Sequence, residues 1–570
     1  MKTLLKNAGI VNVFTESIEK GNVLIENGKI VGVGDYYTDV DADIVEDLTG
    51  KFLCPGFIDG HIHIESTMMV PHSLAESVIV HGTTGVVTDP HEIANVCGID
   101  GIKYMLEMSE NLPLHVYVMI PSCVPATCFD EAGAELFASD TEDLYKEKRV
   151  LGLAEMMNYP GVIYNDAPTL DKIDSCIEKG KPVDGHAPLL TGKDLDKYIS
   201  AGINSDHECS TFEEAKEKLS KGQWIMIREG SAAKNLEKLL PLFEAPFYSR
   251  CILATDDRNP ADILSEGHID NIVRLAIKNG KDPVRAIKMA TINPAMCFGL
   301  KYMGAIACGY NADILVLDDI EQITIKDVYS NGKKVVDNGR VIEFAKPKAE
   351  DMITGSVMNS FHMPDLKSDD FIILPDDENG VKKCRVIEVI PGEILTNELL
   401  LDIDLCNNNG IDTDNDILKI SVIERHKNTG HRGLGYIKGI GLKEGALAGS
   451  VSHDSHNLIV IGTNNNDMAF AANHIKKIGG GLAVVKNGQV LAEVRLPVAG
   501  LMSTDSAENI AEANRVLREK AKELGVNEGI EPFMNMAFVS LPVIPVLKMT
   551  TKGLVNVSEF KRVDLFVNPC

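Results

Sequence analysis

Short apolar runs recur along this chain, and the polar residues between them decide what each run can become. Val23-Leu-Ile-Glu-Asn27-Gly28-Lys-Ile-Val-Gly-Val33 is two such runs around Asn-Gly, the strongest short hairpin signal. The device returns at Val328-Tyr-Ser-Asn331-Gly332-Lys-Lys-Val-Val336, after the apolar run Asp313-Ile-Leu-Val-Leu317. Either hairpin alone would lack a core, so residues 1–50 and 300–345 are expected to form one small β domain together. Between them, strand-like runs at 57–64, 84–89, 114–120, 151–157, 182–187, 202–207, 223–228 and 251–256 alternate with helical segments. Thr211-Phe-Glu-Glu214 is a capping box that opens a helix, and Asp282-Pro283 starts another. Eight strands alternating with helices over roughly 250 residues predict an α/β fold, a (β/α)8 TIM barrel over residues 51–299. The rival, a doubly wound open sheet, lacks support because no Gly-x-Gly-x-x-Gly follows the first strand.

Residues 345–370 are polar, carry Lys346-Pro347-Lys348 and read as a linker to a C-terminal α+β domain over 360–570. That domain has strand-like runs at 457–462 and 482–494, the latter around Asn487-Gly488. The mixed-charge stretch from Ala507 to Leu524 is helical.

Charge narrows the function. Acidic residues number 83 against 56 basic, a net −27, which argues against nucleic acid or an anionic membrane as the main partner. No signal-peptide core follows Met1, and no run is long enough to span a bilayer, so a cytoplasmic protein is expected. The twelve cysteines are scattered without a Cys-x-x-Cys pair, as in a reduced enzyme with neither a disulfide framework nor a zinc–thiolate site.

Barrel enzymes carry their chemistry at the carboxyl ends of the strands. Those ends here bear His61 and His63 on strand 1, Asp89-Pro-His91-Glu92 on strand 2 and Glu155 on strand 4. Strand 5 ends in Asp184-Gly-His186, strand 6 in Asp206-His207-Glu208 and strand 8 in Asp256-Asp257-Arg258. Alternate residues of a strand share a face, so His61 and His63 make half of a divalent-metal site. His61, His63 and Asp256 suit one metal, His186 and His207 a second, and Glu155 has two oxygens with which to bridge them. Two such ions polarise a bridging water and supply hydroxide near neutral pH. Asp256 beside that water would shuttle the proton. Asp257 would face away if the strand persists, either paired with Arg258 or placed behind the ligands. Arg228 and Glu229 end strand 7, where substrate contact and a structural ion pair are both open. His453 and His456, three apart, are open to metal binding, to closing over the barrel mouth, or to an ordinary polar role.

Several stretches together resemble the amidohydrolase superfamily and, within it, the bacterial-type adenine deaminases. They are Phe57-Ile-Asp-Gly-His-Ile-His-Ile-Glu-Ser66, Thr88-Asp-Pro-His-Glu-Ile-Ala-Asn-Val96, Leu153-Ala-Glu-Met-Met-Asn158, Asp184-Gly-His-Ala-Pro188, Thr255-Asp-Asp-Arg-Asn-Pro260 and Ser452-His-Asp-Ser-His-Asn457. Many superfamily members bridge their metals with a carboxylated lysine on strand 4, whereas Glu155 stands here, as in the adenine deaminase pattern. The resemblance implies hydrolysis of adenine to hypoxanthine and ammonia with two divalent ions, Mn2+ first and Fe2+ or Zn2+ admitted by the donors. It also implies an acid for the purine ring nitrogen, for which Glu208, Glu229 and Glu92 are candidates. His91, Glu92, Arg228, Glu229, Asp257 and His453 are the candidate substrate contacts. The expected partners are a small purine base and further copies of the chain in a homo-oligomer. The alternatives are a related hydrolase that opens a cyclic amide, and a catalytically inactive scaffold.

Overall fold

The computed structural model describes residues 1–231, 233–374 and 380–567. The chain forms two compact units. The first comprises Met1–Pro90, Met105–Ser122 and Phe137–Ala349; the second comprises His91–Tyr104, Cys123–Leu136 and Glu350–Cys570.

In the first unit, the N-terminal flank supplies β1 (Lys2–Asn12), β2 (Ser17–Glu26), β3 (Lys29–Gly34), β4 (Ile44–Asp47) and β5 (Phe52–Pro55). Eight parallel strands follow: β6 (Phe57–Ile62), β7 (Thr83–Thr88), β8 (His115–Ile120), β9 (Val150–Met156), β10 (Val183–Gly185), β11 (Ser205–Asp206), β12 (Trp224–Arg228) and β13 (Cys251–Ala254). They pair in sequence order from β6 to β10 and from β11 to β13. Single parallel bridges, Val183 to Ile203 and Ile62 to Asp256, join the two sets and close the ring. The barrel expected from the sequence is therefore present. Alternation along β12 and β13 sorts its side chains. Trp224, Met226, Ile252 and Ala254 pack with Val87, Met119 and Ala154, while Ile225, Ile227, Cys251 and Leu253 pack with Ile269 and Ile272 of the helix Ile269–Lys278.

The chain then returns through β14 (Ile314–Asp319), β15 (Thr324–Ser330), β16 (Lys333–Asp337) and β17 (Arg340–Val341). Antiparallel pairing of β14 with β5 merges both flanks into one nine-stranded sheet, in the order β17-β16-β15-β14-β5-β1-β2-β3 with β4 beside β1. Asn27 and Gly28, at φ 51° and 82°, and Asn331 and Gly332, at φ 47° and 72°, turn two of its hairpins in the left-handed region that these residues tolerate. Leu5, Val23, Ile25 and Leu53 from one flank share a core with Ile314, Val316 and Tyr329 from the other, and neither flank would bury these side chains alone.

The second unit is built on an eight-stranded sheet. Its strands are β18 (Val381–Val389), β19 (Thr396–Asp404), β20 (Leu418–Ile423), β21 (Arg432–Lys438), β22 (Ala446–Gly449), β23 (Leu458–Gly462), β24 (Gly481–Lys486) and β25 (Gln489–Arg495). The helix Asn465–Ile478 covers it, placing Met468, Ala471, Ala472 and Ile475 against Val460, Ala483 and Val485. Asn464 caps that helix by accepting from the Asp467 amide at 2.8 Å, and Gly479 at φ 77° ends it. The stretch read as a linker differs from expectation. It carries the helix Asp351–Met358, and Ser360 and Phe361 lie against the buried Arg425, whose N–H groups need acceptors. Among the described residues no helix is long and apolar enough to cross a membrane.

Candidate metal centre

The site in the first unit begins with Asp59, buried in β6. Its carboxylate accepts from the amides of His61 (3.2 Å) and Thr255 (3.1 Å) and from the Thr255 hydroxyl (2.5 Å), which ties the histidine-bearing strand to the end of β13. Gly60 permits that approach, because a Cβ there would meet Ile252 Cδ1 at 2.6 Å. Burial pushes the Asp59 carboxyl up to about 7.

Six of the side chains expected from the sequence meet here. His63 Nε2 lies 3.2 Å from His61 Nε2, 3.2 Å from Asp256 Oδ1 and 3.3 Å from Glu155 Oε1. The other oxygen of Glu155 lies 2.6 Å from His186 Nδ1 and 3.2 Å from His207 Nε2. Glu155 thus turns one oxygen to His63 and one to the His186–His207 pair. The sets His61–His63–Asp256, His61–Glu155–His207 and His186–His207–Glu208 each gather ligand atoms within 4.8 Å of one another.

The outer nitrogens decide what these imidazoles offer inward. His63 Nδ1 is 3.1 Å from the Asp89 carbonyl oxygen, which can only accept, so Nδ1 carries the proton. His61 Nδ1 faces Asp184 Oδ2 at 3.2 Å, and Asp184 is in turn held by the Ser205 hydroxyl at 2.6 Å. Burial raises the Asp184 carboxyl, but His61 and His207 bring it below the usual carboxylate range, so it accepts from His61. With both outer nitrogens donating, the two Nε2 atoms are the ones turned inward, 3.2 Å apart beside carboxylate oxygens. Such a centre requires positive charge, and its nitrogen and oxygen donors suit a divalent cation. Burial pushes Glu155 and Asp256 upward, yet His186 beside Glu155 and Arg228 beside Asp256 hold both carboxyls well below their ordinary values.

The end of β13 corrects one expectation. The strand stops at Ala254, and Asp256 stands at φ 56°, so the alternation argument no longer applies. Asp256 turns Oδ1 to His63 and Oδ2 to Arg228 Nη1 at 2.6 Å. Asp257 Oδ1 accepts from the Ser66 hydroxyl at 2.6 Å. The buried Arg258 guanidinium pairs with Glu266 at 2.9 Å and with the carbonyls of Gly267 and Glu229, where a pairing with Asp257 had been one expectation. Arg228 also pairs with Glu208, with Nη2 to Oε2 at 3.1 Å. Because β11 ends at Asp206, Glu208 reaches His207 Nε2 at 3.5 Å and His186 at 3.7 Å. Glu229 is not brought to this cluster. Its Oε2 accepts from the Leu236 amide at 3.1 Å, at the start of the helix Leu236–Leu239.

Glu92, His453 and His456 of the second unit form a group of ligand atoms. Glu92, in the first turn of the helix His91–Cys97, has Oε1 3.0 Å from His453 Nδ1 and Oε2 4.0 Å from His456 Nε2. His91 Nε2 lies 3.7 Å from Asp454 Oδ1. The His453 ring stacks on Phe538 at 4.7 Å. Sequence reasoning passed over Asp184, Ser66 and Arg425 as supporting residues. Asp184 stands two before His186 and Ser66 three after His63, so both were within reach, whereas Arg425 has no local signal.

Comparison with known proteins shows the family. Residues 52–337 match the amidohydrolase family, and residues 393–561 match the adenine deaminase C-terminal domain. The chain is 46% identical over 564 residues to an adenine deaminase of Desulfatibacillum aliphaticivorans, covering 99% of this chain and 97% of that one. It is 47% identical over 561 residues to an adenine deaminase of Dehalococcoides mccartyi, covering 98% and 95% respectively.

Proposed function

We propose, for a chain that belongs to the adenine deaminase family of the amidohydrolase superfamily, that it hydrolyses adenine to hypoxanthine and ammonia. One observation carries the reading: the Nε2 atoms of His61 and His63 and the oxygens of Glu155 and Asp256 converge on one buried point. His61, His63 and Asp256 would hold one divalent cation, His186 and His207 a second, and Glu155 would be shared between them. When bound, such cations supply Lewis acidity that makes water a nucleophile near neutral pH.

The protein's own groups carry the protons. Addition of water at C6 releases a proton, and the amino group needs one to leave as ammonia. Asp256 is ionised and oriented by Arg228, so it accepts the first and returns it to the leaving nitrogen. Glu208 is fixed by the same guanidinium beside His186 and His207; burial pushes its carboxyl up but His186 and Arg228 hold it below its ordinary value, so we assign it to take the second proton of the added water and pass it to the ring nitrogen. The nitrogen and oxygen donor set supports manganese first, with iron or zinc also suited, and the acidic surface supports a cytoplasmic setting. A homo-oligomer completes the proposal.

The test is metal exchange. Chelation should abolish conversion of adenine, followed by absorbance and ammonia release, and Mn2+ or Fe2+ should restore it. An active preparation that contains no transition metal by elemental analysis would refute the assignment.

A further inference from the structure

The segment Thr211-Phe-Glu-Glu-Ala-Lys-Glu-Lys218 has the composition of a solvated helix, yet two of its charges are turned inward. Thr211 caps the helix Phe212–Ser220 by accepting from the Glu214 amide at 3.3 Å, and Glu214 and Lys218, one turn apart, share its inner face. Lys218 is wholly buried and Glu214 nearly so. Burying an ammonium is costly unless it is paired and its N–H groups find acceptors. Lys218 Nζ donates to the Ala187 carbonyl at 2.7 Å and to Glu214 Oε1 at 2.9 Å, and lies 3.2 Å from Asp206 Oδ1. Burial works against its charge, but Asp206 and Glu214 hold the ammonium above its ordinary pKa, so it stays charged.

Each partner of this lysine is tied to a loop that carries a candidate metal ligand. Asp206 ends β11 immediately before His207. Its Oδ2 accepts from the Ala187 amide at 2.9 Å and its Oδ1 from the Glu208 amide at 2.8 Å. Glu214 Oε1 accepts from the Leu189 amide at 2.8 Å and Oε2 from the Ser210 amide at 3.2 Å. The residue after His186 is thus held by both its amide and its carbonyl, and the loops after β10 and β11 are bound to one helix. The sheet does little of this work at that seam. β10 and β11 are three and two residues long, and a single bridge, Val183 to Ile203, joins them. His61 and His63 are held by a different set, Asp59, Asp184 and the Asp89 carbonyl.

We propose that Lys218, with Asp206 and Glu214, is the positioning element that sets the separation of His186 and His207 and thereby the affinity of the second metal position. The inference rests on the two-cation reading above. Lys218 acts through the main chain of residues 187–189 and 206–210 and takes the place of the strand ladder that is missing between β10 and β11. His186 Nδ1 and His207 Nε2 lie 3.3 Å apart, close enough to converge on one ion. Without the ammonium, the Asp206 and Glu214 carboxylates would repel each other and draw the two loops apart.

The experiment is Lys218→Met, which removes the charge and keeps most of the side-chain volume. Native and variant proteins are loaded with Mn2+, dialysed against a graded series of free Mn2+ concentrations, and compared by elemental analysis and by turnover of adenine. Native protein should hold two ions per chain. The variant should keep one ion with native affinity and bind the other about 10- to 100-fold more weakly, the usual cost of losing a group behind a metal ligand. Excess Mn2+ should restore its turnover, a recovery that a damaged fold would not show. Lys221→Met, which breaks a partly exposed pair with Asp196 at the end of the same helix, should change neither ion. Should Lys218→Met not fold, Glu214→Gln takes its place; it releases the Ser210 amide, weakens the hold on Lys218 and should cost the second ion about tenfold, the worth of one hydrogen bond. Two ions bound with native affinity in the variant that folds would overturn the proposal, as would equal weakening of both. A native protein that holds fewer than two divalent ions would instead refute the two-cation reading, so the two failures are distinguishable.

Discussion

Asp256→Asn removes the proposed proton acceptor while disturbing the fold little, and metal content measured on the same sample separates that loss from weaker metal capture. The residue stands at φ 56°, a conformation asparagine tolerates better than most residues, so the backbone cost is small. An amide oxygen can still face His63 Nε2 across 3.2 Å or accept from Arg228 across 2.6 Å. Arg228 keeps Glu208 as a charged partner, so the substitution does not leave a buried guanidinium alone, a situation that costs about 3–5 kcal/mol. The proton acceptor is what disappears. General acid–base assistance is worth roughly 10²–10⁴-fold, so kcat for adenine should fall by that factor. Asp257→Asn is the control. It weakens one hydrogen bond from Ser66, worth about 1 kcal/mol, and should reduce turnover by about tenfold at most. Steady-state kinetics on both variants, with metal content and melting temperature measured on the same samples, decide the matter. An Asp256→Asn enzyme with two metals and native turnover, beside an inactive Asp257→Asn enzyme, would refute the assignment.

Three further outcomes follow. Glu155→Gln should lose metal and most activity, because an amide is a poor bridging ligand; full activity with two metals bound would show that another group bridges. His453→Ala removes the 3.0 Å partner of Glu92 and should weaken turnover without lowering metal content, as elemental analysis and kinetics would show. Asp130 is buried in the second unit, accepts from the Glu131 amide at 2.9 Å and from Asn457 Nδ2 at 3.2 Å, and has its carboxyl pushed up to about 7 by burial. Its folded pKa exceeds the unfolded value, so its contribution to stability is full below about pH 4 and declines as pH rises towards 7. Asp130→Asn keeps the acceptor oxygen without the charge. It should raise the melting temperature relative to native protein at pH 8 and leave it nearly unchanged at pH 4; equal shifts at both would exclude the linkage.

Much of this molecule was legible in the linear chain because the relevant signals are local. Asn27-Gly28 and Asn331-Gly332 declare their turns through backbone conformations open to few residues. Period-two spacing put His61 and His63 on one face, and alternation of strands with helices indicated where the strand ends would gather. His186, His207, Glu155 and Asp256 could be named because each ends a recognisable strand, and barrel closure leaves such ends no other common place to meet.

Tertiary structure alone decided the remainder, which depends on groups distant in sequence or on one dihedral. Whether Asp256 or Asp257 faces His63 turns on where β13 stops and on a positive φ that no spacing rule supplies. Arg258 pairs with Glu266 rather than with an adjacent carboxylate because its buried side chain runs to the Gly267 turn. Glu229 looks like a strand-end acid until the fold gives it a helix start to cap. No local pattern marks residues 91–104 and 123–136 as grouping with the chain beyond 350, since long-range packing sets that division.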